Sequence, residues 1–451
     1  MNPLPRLYRA APTPRFGVYL FLLLTAMGVL IAWLHAGPAG PSSYEAIVRA
    51  GVGKDLLAGL PRGRQGLVGS LKWAPLPTLL ALPLMGVPAL AEGRFPMAVA
   101  ASIGSALVCV FLSRWWARYG MRETIRAPIA FALFLSPPML RPILEGSSET
   151  LFAFFAISAL ANLIHWWESQ DLRGLAYTAL STAGATYVHY QGALLILFAL
   201  ALFSVHLVSS RKRESYIEGA LITLLLPGAY LVVLWFAANW LLMGDAFFFI
   251  RAIVHAAADG SLGLLLVQSQ PWSACLAPAL LGVLGWGLCR LAGRRRTLWT
   301  GLPVLAGCLL LWTGGVSAMW PAAPDPATAE LRATVLPALV SSHFKDKIIV
   351  SGYRGYLLRR TALERCGALV HELNLYPDRI FQQTRGRRLY ILVPNPRSPD
   401  PACPTDAAWE DATLALPGVF DHGARGLIFE RAWTNWALYR VVRLDTPEQP
   451  V

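Results

Sequence analysis

The stretch WAPLPTLLALPLMGVPALA, Trp73–Ala91, is apolar enough to be read as a membrane span. Whether it is one decides the topology of the whole chain. Counted as a span, it places Arg114, Arg118, Arg122 and Arg126 on the outer face of a membrane. That opposes the rule that short cytoplasmic loops carry the basic residues. The run also holds Pro75, Pro77, Pro83 and Pro88. Proline removes a backbone donor and interrupts a helix. We therefore read the stretch as a broken element outside the bilayer, lying at or dipping into its surface.

Around it the chain is apolar throughout. Of 451 residues, 55% are hydrophobic and only 14% charged, more apolar than a soluble protein of this length needs. The mean hydropathy is +0.48. Runs approaching the roughly 20 residues needed to cross a bilayer are Phe16–Ala36, Phe95–Leu112, Ala127–Leu144, Thr150–Trp167, Leu175–Tyr190, Ala193–Ser209, Tyr216–Leu242, Trp272–Leu288 and Leu298–Ala318. Arg6, Arg9 and Arg15 precede the first run, as in a signal peptide. Its apolar core exceeds the usual length of about 7–15 residues, which favours an uncleaved first span.

With Trp73–Ala91 left outside, every loop obeys the charge rule. The inner side takes the N-terminus, the 114–126 loop, Arg173, Arg211–Arg213, Arg290 and Arg294–Arg296. The outer side takes residues 37–94, 141–149, 189–192 and 239–260, and the C-terminal region. The expectation is a polytopic α-helical protein of the cell (inner) membrane with about nine transmembrane helices and a cytoplasmic N-terminus. Residues 1–320 form the membrane domain, with 37–94 as its first outer loop. Residues 321–451 form a small extracytoplasmic, periplasmic α/β domain. There, DKIIVSG (346–352), RLYILVPNP (388–396) and NWALYRVVRL (435–444) read as strands, and Tyr356–Leu373 has helical spacing.

The net charge of +13 suggests nucleic acid. Most basic residues of the membrane part lie in short loops, however, where they set topology, so we expect no nucleic-acid partner. No Gly-rich phosphate loop, CxxC pair, HExxH or zinc spacing is present. Cys109, Cys275, Cys289 and Cys308 fall in or beside spans and read as small apolar residues. Cys366 and Cys403 share the C-terminal domain and are a candidate disulfide if their compartment is oxidising. His165 and His206 lie near or within spans and read as helix–helix contacts.

Polar residues gather on the outer side. Glu45 follows the first span and suits a general base, against the plainer reading of a solvated loop acid. EGSSETLF puts Glu145 and Glu149 four residues apart where the fourth span begins, which ordinary capping also explains. His189 and Gln191 end the fifth span beside Tyr187 and Tyr190, where aromatic-belt chemistry competes with function. In NWLLMGDAFFFIRAIVHAAADG (239–260), Arg251, His255 and Asp259 recur at helical spacing. Arg251 suits a lipid-linked phosphate. Asp245 and Asp259 equally suit a structural ion-pair network with it.

Four stretches together resemble the GT-C superfamily of polytopic glycosyltransferases, the class of protein mannosyltransferases and aminoarabinose transferases. They are SSYEAIVRAG (42–51) followed by LKWAPLPTLLALPL (71–84), EGSSETLFAFFAISALANLIHWW (145–167), LAYTALSTAGATYVHYQGALL (175–195), and the 239–260 stretch already quoted. The likeness covers roughly residues 16–260 best and is nearest to a bacterial branch with a small outer α/β domain. It implies a donor sugar on a polyprenyl-phosphate carrier, a glycan, lipid or protein acceptor, and membrane lipids around the fold. It implies Glu45 as base, with Arg251 and either Lys72 or His255 holding the carrier phosphate. His189, Gln191, Glu149 and Asp245 complete the expected donor site, and a divalent ion, Mg or Mn, is left open.

Two positions depart from the family pattern. The family usually carries Asp near Ser42-Ser43-Tyr44, and Arg-Tyr-Glu where this chain has His189-Tyr190-Gln191. Two further classes therefore stand beside an inverting transferase. One is a non-catalytic relative that binds a lipid-linked glycan or a partner protein. The other is a transporter or flippase, against which the polar residues cluster at one face rather than at the midplane, with no inverted repeat.

Overall fold

The computed structural model describes residues 14–35, 43–59, 61–68, 74–87, 90, 95–210, 214–258, 272–292, 303–304, 306, 308, 329–343, 346–350, 369–370, 388–395 and 425–443. The helical part runs α1 (Pro14–Leu34), α2 (Tyr44–Leu57), α3 (Pro61–Val68), α4 (Leu76–Met85), α5 (Phe95–Arg118), α6 (Glu123–Phe134), α7 (Pro137–Glu145), α8 (Glu149–Ser169) and α9 (Leu172–Val188). A 3-10 turn, Tyr190–Gly192, leads into α10 (Ala193–Ser210). Then come α11 (Glu214–Met243), α12 (Phe248–Ala258) and α13 (Trp272–Ala292).

Among the described residues, four helices are long and apolar enough to cross a membrane: α1, α5, α8 and α11. The pair α6 and α7 adds a fifth if its 48° bend is one broken span. The bend has a local cause. Ser136 is extended and Pro137 opens the next helix, and a residue before proline is driven out of the helical region. The expected fifth and sixth spans form α9 and α10, 17 and 18 residues long, and the expected eighth lies in α13, whose apolar part Cys275–Leu288 is shorter than a span. The expected ninth, Leu298–Ala318, lies largely outside the described residues.

The helices carry apolar side chains outward as well as inward. On α11, Ile222, Leu226 and Val233 are each more than 60% exposed, and only 11% of its apolar window is buried. Water does not tolerate so large an apolar surface, whereas lipid chains do. The fold is that of a polytopic helical membrane protein. Its core is built from α1, α5 and α8, with Trp115 and Trp116 buried against α13. Trp116 Nε1 donates to the Gly282 carbonyl at 3.3 Å, joining α5 to α13. At Gly104 a Cβ would press on Thr150 and the Leu151 nitrogen, so α5 approaches the start of α8 closely only as glycine.

Trp73–Ala91 contains α4, ten residues long. At about 1.5 Å per residue it is too short to span a bilayer. Its Ala81 and Met85 pack against Ala46 and Ala50 of α2 and Met97 of α5. The element that decided the sequence topology is thus a short packed helix.

Toward the C-terminus, a π turn (Leu331–Val335) leads into α14 (Leu336–His343). A five-stranded sheet follows, made of β1 (Lys347–Val350), β2 (Leu369–Val370), β3 (Leu389–Pro394), β4 (Arg425–Ala432) and β5 (Trp436–Arg443) in the order β2-β1-β3-β5-β4. β1 pairs parallel with β2 and β3, while β5 pairs antiparallel with β3 and β4. The three strands read from sequence are β1, β3 and β5. The helical reading of Tyr356–Leu373 fails at its end, because Leu369 and Val370 pair with Ile348 and Ile349 as a strand. Long-range pairing overrides helical spacing there. β4 escaped the sequence reading. Its hairpin turn is held by Glu330, whose two carboxylate oxygens accept the Thr434 and Asn435 N–H groups at 2.8 and 2.7 Å.

Candidate functional site

Among the described residues, a cluster of buried polar side chains, Glu45, Arg49, Ser147, Ser148 and His189, lies at the end of the bundle where α8 begins and α9 ends. Ser43 opens α2 as its N-cap, its Oγ accepting the Ala46 N–H at 3.1 Å. The Ser43 N–H donates to the Glu145 carbonyl at 2.9 Å, fastening the start of α2 to the end of α7. One turn into α2, Glu45 and Arg49 stand four residues apart and pair, Arg49 Nε to Glu45 Oε1 at 2.7 Å. Both are buried, and Arg49 is completely so. Arg49 Nη1 also donates to the Ala74 carbonyl at 2.5 Å and to Thr78 Oγ1 at 3.3 Å, which draws α4 onto α2.

On its other side, Glu45 reaches the start of α8. Oε2 accepts the Ser148 N–H at 3.3 Å, and Oε1 accepts the Ser148 hydroxyl. Ser148 Oγ in turn lies 2.9 Å from His189 Nε2. A serine hydroxyl has one proton to give. With that proton on Glu45, the His189 Nε2–H donates to Ser148 Oγ. The result is one buried chain, Arg49–Glu45–Ser148–His189, linking three helices. Burial by itself pushes the Glu45 carboxyl up. The Arg49 guanidinium, the His189 ring and the Ser148 hydroxyl together outweigh it and hold the carboxyl below its ordinary value.

Ser148 is the N-cap residue of α8, yet its side chain caps nothing in that helix. The capping explanation therefore does not account for its hydroxyl. Glu145 and Glu149 do not share a helix either. Glu145 ends α7, and Gly146 follows at φ 72°, a left-handed turn that suits glycine. Glu145 pairs with Arg141 at 2.7 Å. Glu149 opens α8, half-buried and one residue from Ser148.

His189 breaks out of α9 with an extended backbone, φ −146°, and its ring meets Phe152 edge-on at 5.6 Å. Gln191 lies in the following 3-10 turn, also half-buried. That turn folds back on α9 so tightly that a Cβ at Gly192 would strike the backbone of Ala185 and Thr186.

Arg251 and Asp245 pair with each other, Arg251 largely exposed. Asp245 Oδ1 also accepts the Phe247 N–H at 3.0 Å at the start of α12. Among the described residues, no hydrogen bond or ion pair joins this couple to the Glu45 chain. The connection between the two regions is aromatic. Tyr190 lies 5.4 Å from Phe249 and 6.3 Å from Trp235, and Trp235 lies 5.6 Å from Phe249. His255 falls on α12, but its side chain is outside the described residues, as are Lys72, Asp259, Cys366 and Cys403. Among the described residues, no group of three or more His, Cys, Asp or Glu side chains is placed to hold a metal ion, so the divalent ion left open by the sequence finds no such set there.

Arg49, Thr78 and Ser148 escaped the sequence reading. The Glu45–Arg49 spacing was a visible signal for the first. Nothing local distinguished Ser148 from a helix cap.

No protein-family profile and no curated protein matches the chain. Solved structures are similar to it, among them the following three. ArnT from Cupriavidus metallidurans bound to undecaprenyl phosphate shares 12% identity, with 95% of this chain and 99% of that chain covered and a TM-score of 0.39. The same protein in the apo state shares 12% identity, covering 93% and 97%, with a TM-score of 0.40. The archaeal oligosaccharyltransferase AglB from Archaeoglobus fulgidus, in complex with an inhibitory peptide and a dolichol-phosphate, shares 14% identity, covering 81% of this chain and 47% of that chain, at 0.35. Superpositions this loose transfer neither a residue role nor an activity.

Proposed function

We propose that the chain is a membrane glycosyltransferase. It moves a sugar from a polyprenyl-phosphate carrier to an acceptor hydroxyl on the outer face of the membrane, with inversion, in the nine-span topology read from the basic loops. One observation carries this reading. Three of the four stretches that carry the resemblance feed the same buried chain: Glu45 and Arg49 from the first, Ala74 and Thr78 from its continuation, Ser148 from the second and His189 from the third. The fourth supplies Phe249, whose ring meets that of Tyr190, next to His189, at a 42° tilt. Residues far apart in sequence assemble one polar centre at the end of an apolar bundle, which is how intramembrane polar groups mark a working site.

In this reading Arg251 meets the carrier phosphate. Its exposed guanidinium exchanges Asp245 for a phosphate through two parallel N–H bonds. The resemblance adds Lys72 or His255 as the second group for that phosphate. Glu45 holds Ser148 and His189 in place beside the reacting groups.

A second reading has one observation in its favour. The first-loop carboxylate is taken up by Arg49 and Ser148, as in a relative that binds a lipid-linked glycan without turning it over. One experiment separates the two. The purified protein in detergent is incubated with a panel of radiolabelled polyprenyl-phosphate sugars, with and without membrane extract as acceptor. Label passing from carrier to acceptor, and lost in Arg251→Ala, supports the transferase. Carrier binding without turnover across the panel favours the binding protein.

A further inference from the structure

The geometry points to Glu149 as the group that takes the proton from the acceptor hydroxyl, a step that rests on the transferase reading above. A base needs a carboxylate with an oxygen to spare, within reach of substrate. Glu45 spends its oxygens on Arg49 Nε, the Ser148 hydroxyl and the Ser148 N–H. Glu149, the next residue on α8, is half-buried and makes no hydrogen bond or ion pair among the described residues. Its charged neighbours are Glu45 on α2 and Glu145 and Arg141 on α7, with the Cys275 thiol on α13. Arg49 and His189 are already joined to Glu45 and Ser148.

A second, independent feature marks the same turn as a place for a ligand. Ser147 is 4% exposed, and its hydroxyl has no partner among the described residues. A buried hydroxyl left unpaired calls for an explanation. An acceptor hydroxyl bound at this turn supplies one, hydrogen-bonded to Ser147 Oγ with its proton directed at Glu149. In the transfer step the acceptor O–H proton passes to the Glu149 carboxylate. The acceptor oxygen bonds to the anomeric carbon, and the bond from that carbon to the phosphate oxygen breaks. The electron pair leaves with the polyprenyl phosphate. The Arg49–Glu45–Ser148–His189 chain acts as the positioning frame that fixes the first residues of α8.

The test uses the full chain in detergent with the radiolabelled polyprenyl-phosphate sugar on which the wild type turns over. Glu149→Gln is expected to lower kcat by about 10²–10⁴-fold, the usual contribution of a positioned base. The carrier KM stays within about threefold and the acid limb of the kcat/KM profile disappears. Glu149→Asp restores part of the rate. Ser147→Ala raises the acceptor KM. Because the Glu149 carboxylate has no hydrogen-bond or ion-pair partner among the described residues, Glu149→Gln is expected to leave the melting temperature at or above that of the wild type, so lost turnover is not lost folding. Wild-type kcat in Glu149→Gln with the acid limb intact overturns the assignment and leaves the transferase standing. Absence of wild-type transfer from every donor in the panel removes the transferase and the role of Glu149 together.

Discussion

Ser148 Oγ and His189 Nε2 lie 2.9 Å apart although 41 residues separate them in the chain. The contact closes α8 and α9 at the end where one begins and the other stops. It also consumes the second valence of a hydroxyl already committed to Glu45. Removing that hydroxyl leaves the His189 Nε2–H without its Ser148 acceptor and takes one of two donors from Glu45 Oε1, which keeps Arg49 Nε. Ser148→Ala is expected to destabilise the folded protein by about 1–3 kcal/mol, the cost of an unmet buried polar group. Thermal denaturation in detergent measures it.

Arg49 is the deeper support. It is wholly buried and its guanidinium touches Glu45, Ala74 and Thr78. Arg49→Met strands the Glu45 charge and should cost about 3–5 kcal/mol, whereas Glu45→Gln combined with Arg49→Met recovers much of it. A double-mutant cycle on melting temperature reads the coupling. Additive losses would mean that the two side chains do not support each other.

The Glu45 carboxyl is held below its ordinary value in the folded protein. The unfolded chain therefore binds its proton more readily than the folded one. The stabilisation from this ion is present above the ordinary carboxylate range and is lost as pH falls through the folded value. A melting-temperature series down to pH 3 should fall more steeply in the wild type than in Glu45→Gln. Parallel curves would remove the ion from the account.

Gly192 allows the turn after His189 to lie against α9. Gly192→Ala forces a Cβ into the backbone of Ala185 and Thr186, an overpacking worth about 1–3 kcal/mol. The proposed transferase should lose rate as well, because the displaced turn carries His189 with it. Gly219, around which a Cβ meets nothing within 4 Å, is the control position. Gly219→Ala should leave both melting temperature and rate near wild type.

Arg251 and Asp245 form a pair at the surface, Arg251 62% and Asp245 24% accessible. Screening and side-chain entropy reduce such a pair to about 0–1 kcal/mol. Asp245→Ala should cost about 0.5–2 kcal/mol, mainly through the lost acceptor for the Phe247 N–H at the start of α12. Under the proposed function it frees Arg251 and lowers the carrier KM, while Arg251→Ala raises it. Equal and unchanged KM values in both variants would separate α12 from the carrier.

Much of this fold was legible in one dimension. The apolar lengths of α1, α5, α8 and α11, the prolines that break Trp73–Ala91, and the short runs of β1, β3 and β5, the first two rich in Ile, Leu and Val and bounded by turn residues, are local properties. A lipid or sheet environment reads them directly. β2 was lost because its two residues have no strand signal apart from their neighbour β1. The candidate site was legible only in part. Glu45, Glu149 and His189 were visible as residue types near span ends, and Arg49 by its spacing from Glu45.

The sequence by itself determined that this chain is a bundle of membrane-length helices with polar residues at span ends. The length and hydrophobicity of a helix depend on no distant partner. Only the tertiary structure decided what those polar residues do. It gave Glu45 to Arg49 and Ser148, Glu145 to Arg141 and Arg251 to Asp245, and left Glu149 without an ion-pair partner among the described residues. A buried charge takes whichever donor the packed helices bring within hydrogen-bond reach, and that proximity is a property of the assembled bundle rather than of any one segment.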